Sequence, residues 1–73
     1  MNLAQLKEEF LEHFESPDKH ETYDTHEGGF YNSTLIDTEE AVAEVFTDLP
    51  EELRRALINE LNKISGDWVR KEN

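Results

Sequence analysis

The sequence has no cysteine, two prolines, three glycines and only seven basic side chains. Without thiols there is neither a disulfide framework nor a thiolate zinc site, and a reducing, cytoplasmic setting is the expectation. No stretch approaches the roughly 18 apolar residues of a membrane span. Residues 1–9 turn acidic where a signal peptide requires an apolar run, so export is not expected. The shortage of lysine and arginine also argues against direct binding to nucleic-acid phosphates or anionic lipid, both of which an acidic chain repels.

What the sequence has in excess is carboxylate. Eighteen acidic residues against seven basic ones give a formal charge of −11 over 73 residues. A chain of this length buries only about 60% of the surface that its unfolded form exposes, so residues 1–73 read as one small domain with little room for a deep catalytic cleft. Hydrophobic content of 36% and charged content of 34% lean toward disorder, but the large apolar residues fall in patterned clusters, which favours folding.

Leu3, Leu6, Phe10, Leu11 and Phe14 recur at helical spacing over residues 3–15, with Glu8, Glu9, Glu12 and Glu15 on the other side. Ser16-Pro17-Asp18 stops this helix. Between residues 20 and 36 the helical period vanishes. Strand-type runs at 21–25 and 30–36 flank Glu27-Gly28-Gly29 and predict a β-hairpin, with Tyr23, Phe30 or Tyr31, and Leu35 or Ile36 packed on a helix. A second helix opens on Asp37-Thr38-Glu39-Glu40, which resembles a capping box, and buries Ala41, Val42, Val45, Phe46 and Leu49. Leu49-Pro50-Glu51-Glu52 restarts the chain as a third helix, with Leu53, Leu57, Leu61 and Ile64 inside. Trp68 continues that stripe. Either the helix runs on through Gly66, or the glycine caps it and Trp68 folds back on the core, with residues 66–73 otherwise a frayed tail. The expected fold is α+β, helix–β-hairpin–helix–helix; the alternative is an all-α three-helix bundle with a long loop at 20–36.

Chemistry is sparse. His13, His20 and His26 are spaced unlike any zincin or zinc finger, and Asp24 with Gly28 does not follow a calcium loop. No serine lies in a nucleophile elbow, and the carboxylates lie on solvent faces instead of in the unlike environments that acid–base catalysis needs. Neither an enzyme nor a bound cofactor or metal is expected.

The charge is polarised along the chain. Residues 1–52 hold fifteen acids against two lysines, whereas residues 53–73 hold five basic residues against three acids. This predicts a non-enzymatic interaction module or inhibitor whose acidic face meets a basic protein surface, in the extreme imitating the charge of a nucleic acid. The residues expected to form that face are Glu8, Glu9, Glu12, Glu15, Asp24, Glu27, Glu40 and Glu44. Acidity that serves only solubility, a self-associating structural protein such as a homodimer, and a small metal-binding domain are the competing readings.

Overall fold

The computed structural model describes residues 2–17 and 35–71. Three helices and a three-stranded antiparallel sheet form an α+β fold. In chain order the elements are α1 (Leu3–His13), β1 (Phe14–Glu15), β2 (Ile36–Asp37), α2 (Thr38–Val45), α3 (Glu51–Asn62) and β3 (Asp67–Arg70). The expected hairpin around Gly28-Gly29 lies outside the described residues apart from Leu35 and Ile36. The sheet rules out the all-helical alternative. Among the described residues no helix is long and apolar enough to cross a membrane.

Each helix starts where its local chemistry allows. Asn2 and Gln5 cap α1 reciprocally: the Gln5 backbone N–H donates to Asn2 Oδ1 at 2.9 Å, and the Asn2 N–H donates to Gln5 Oε1 at 3.1 Å. Asp37 caps α2 by accepting from the Glu40 N–H at 2.8 Å. Pro50 precedes α3 without a side-chain cap, and Glu51 and Glu52 in the first turn suit the positive end of the helix dipole.

Two of the expected element ends are corrected by the sheet. The first helix stops at His13, two residues early, because Phe14 adopts extended backbone and pairs with β3. Residues 67–70 are neither a helical continuation nor a frayed tail. They are the central strand, flanked by β1 on one side and β2 on the other. The turn into that strand is held by Ser65, whose hydroxyl donates to the Asp67 carbonyl at 2.7 Å. Gly66 faces open space and is not the helix cap. With α3 ended at Asn62, Ile64 falls outside the helix and is 45% exposed, not part of the core.

The register explains the packing. Phe14 opposes Arg70 and Ile36 opposes Trp68, so these four side chains share one face of the pleat. Against it the helices bury Leu6, Phe10, Ala41, Val42, Leu57 and Leu61. Phe10 stacks on Phe14 with ring centroids 5.2 Å apart and meets Trp68 edge-on at 5.0 Å. Val69, on the other face, is also fully buried.

A polar chain crosses this core. The Trp68 indole N–H donates to Thr38 Oγ1 at 2.9 Å, and the Thr38 hydroxyl donates to Asn62 Oδ1 at 2.6 Å. The carbonyls of Ser65 and Gly66 lie farther from the same hydroxyl, at 3.4 Å. Among the described residues every buried side-chain nitrogen and oxygen is hydrogen-bonded. Thr38→Val keeps the side-chain shape but leaves the buried indole N–H without an acceptor. It is expected to cost about 1–3 kcal/mol of unfolding free energy, measured by urea titration with Trp68 fluorescence. Thr38→Ser, which retains the hydroxyl, should lose less.

Candidate functional site

The acidic surface is built outward from α1. With Leu6 and Phe10 pinned to the core and about 100° of rotation per residue, Glu8 and Glu12 emerge on the opposite side and Glu9 beside them. All three are exposed, and none makes an ion pair among the described residues. Glu8 and Glu12, at i and i+4, add their charges on one helical turn.

The other expected site residues fall elsewhere. Glu15 lies in β1 opposite Val69, on the sheet face turned away from Trp68, and is half-buried. Asp24 and Glu27 lie outside the described residues. Glu40 and Glu44 come together on α2 at Arg70, and there the negative charge is met by a positive one. The Arg70 guanidinium donates through Nε and Nη2 to the two Glu44 oxygens, each at 2.7 Å. This is a bidentate fork between helix and central strand. The Arg70 hydrogen bond holds the Glu44 carboxyl below the usual glutamate range; slight desolvation pushes the other way, and the charge of Arg70 lowers it further. Reciprocally, hydrogen bonding to Glu44 raises Arg70, and the nearby charge of Glu40 adds to the effect.

The remaining cations of residues 53–73 are mostly tied to acids as well. Arg54 reaches Glu39 across the α2–α3 interface at 3.6 Å, Arg55 meets Glu51 at 2.9 Å, and Lys63 meets Glu60 at 3.1 Å. Exposed pairs of this kind contribute little stability individually. Their consequence is spatial. Four of the six lysines and arginines in the described residues are neutralised within the fold, while the α1 carboxylates are not.

Among the described residues, three surface recesses bear on the site. One of about 270 Å³ lies between His13, Phe14, Glu44, Val45, Arg70 and Lys71. A second, of about 380 Å³, is framed by Glu39, Arg54, Arg55, Ile58 and Asn59. The largest of the three, about 530 Å³, is an apolar groove at the α2–α3 connection. Among the described residues the buried polar side chains are Ser16 and Thr38, and no three histidine, aspartate or glutamate side chains converge as a metal site. His20 and His26 lie outside the described residues. Sequence reasoning located the exposed α1 acids but missed the Glu44–Arg70 fork, whose partners are 26 residues apart and carry no local signal.

The fork has a defined pH signature. A carboxyl whose folded pKa is depressed contributes stability that is fully present above its unfolded value and is lost as pH falls through the folded one. Glu44→Gln should therefore lower the melting temperature modestly at pH 7. The gap to the parent protein should close as pH falls below about 4, the region where glutamate titrates. Thermal melts of both proteins from pH 7 to pH 3 check this; a gap that widens toward low pH would contradict it.

No protein-family model matches the chain, and no curated protein or solved structure matches it.

Proposed function

We propose that the protein is a non-enzymatic interaction module that presents an acidic helical face to a basic protein surface and so blocks or tunes it. The observation that carries this reading is the state of three α1 acids compared with four acids that are paired elsewhere in the described residues. Glu8, Glu9 and Glu12 are exposed and have no cationic partner among the described residues, whereas Glu39, Glu44, Glu51 and Glu60 each hold one. Carboxylates left uncompensated on a rigid helix produce a local negative potential that accelerates encounter with a cationic surface and selects against anionic ones. Such a row resembles a nucleic-acid backbone in charge, and binding through it weakens with salt as counterions screen it.

Some of the expected acids are engaged within the fold. Glu44 binds Arg70 through both oxygens, so reversing its charge would disturb the fold as well as the surface. The α1 residues offer a cleaner test. The triple variant Glu8→Lys, Glu9→Lys, Glu12→Lys should melt within a few degrees of the parent protein, because surface changes away from packed features have small effects. In affinity capture from lysate at low and moderate salt, the parent should retain basic proteins in a salt-sensitive manner and the variant should not. Equal capture by both proteins would sink the reading.

A further inference from the structure

We infer that the apolar groove at the α2–α3 connection is a docking site for a basic amphipathic helical segment of a partner protein. This rests on the reading above that the partner is basic, and it adds a second surface with its own chemistry. The groove floor is formed by Val45, Phe46, Leu49 and Leu53, all half-buried: their inner sides pack on the core and the rest lines an open volume of about 530 Å³. That volume falls in the roughly 300–1,000 Å³ range of sites that take up ligand-sized groups. An aromatic and three aliphatic residues in one concave strip provide the pocket into which helical anchors at i and i+4 insert.

The charge at the groove selects the occupant. Asp48 lines it, and Glu51 and Glu52 follow Pro50 directly in the first turn of α3. Asp48 and Glu52 are exposed and make no ion pair among the described residues. An apolar floor with Asp48 at its edge, and Glu51 and Glu52 next to it in sequence, matches a helix carrying leucine-like anchors flanked by lysine or arginine. A second copy of the chain matches it poorly. A two-fold contact places the same patch against itself, so it would bring Asp48 of both copies into one interface without a lining cation to offset them.

The test uses the full chain, isotope-labelled for NMR, and a synthetic helix of lysine and alanine with two leucines at i and i+4. Binding should move the backbone amides of residues 45–53. Affinity should fall at least about tenfold when the peptide leucines become alanine, and by a similar factor with Leu49→Ser. Asp48→Lys, at an exposed position between the helices, should weaken binding roughly threefold while leaving the melting temperature within a few degrees of the parent. Equal binding of the leucine-free peptide, or shifts centred on α1, would overturn the groove as the site. Amide shifts at 45–53 on concentrating the protein alone, with a rising sedimentation mass, would overturn it in favour of a second copy. The lysine triple variant of α1 keeps the two readings apart. If it loses basic partners but still binds the peptide at 45–53, both stand. If it keeps its partners and binds the peptide there, only the α1 reading falls.

Discussion

The fold depends on giving one indole N–H a partner. Trp68 is fully buried, and a buried donor left unmade costs more than most single packing contacts in a domain this small. Thr38 meets the need because a hydroxyl accepts and donates at once, taking the indole proton and passing its own to Asn62. The three residues belong to β3, the first turn of α2 and the end of α3. One hydrogen-bonded chain thus fixes how the last strand, the second helix and the third helix meet. The register follows, since with Trp68 against Thr38 and Phe10, Ile36 and Phe14 fall on the same face of the sheet.

The helices were legible in the residue pattern because their apolar spacing is a local property. The α+β class was legible too, although the sheet described here takes only Ile36 from the expected hairpin and draws its other residues from 14–15, 37 and 67–70. Where the reading failed at the end of α1, and where it left two readings open at Trp68, periodicity was ambiguous. Phe14 is four residues after Phe10 and Trp68 four after Ile64, so both fit a helical stripe. Yet Phe14 and Trp68 reach the core equally well from extended backbone. A two-residue strand leaves almost no alternation to detect, and its pairing partner lies more than fifty residues away in sequence.

The candidate surface shows the same division. That Glu8, Glu9 and Glu12 would be solvent-facing follows from the phase of Leu6 and Phe10. Which acids would be neutralised does not, because Glu44–Arg70 and Glu39–Arg54 are made across elements. The sequence separates acids from bases along the chain, but folding brings the later cations back onto acids of α2 and α3. The polarity that survives in three dimensions is therefore narrower than the polarity of the sequence, and Glu8, Glu9 and Glu12 of α1 are part of what remains. The groove was invisible for a related reason: Phe46 and Leu49 read as core of a continuing helix, but α2 ends at Val45 and the connection leaves part of each uncovered.

The placement of β3 bears on the order of assembly. It is the middle strand of the sheet, yet it follows every other described element in the chain. During vectorial synthesis α1, α2 and α3 can each begin to coil as they leave the ribosome. Neither flanking strand can acquire its ladder until residues 67–70 have emerged. Pairing across such long sequence separations must close large loops before it is rewarded, which slows folding relative to a helical bundle of the same size. Until that moment Phe10, Phe14 and Ile36 lack the strand they pack on or pair with in the fold.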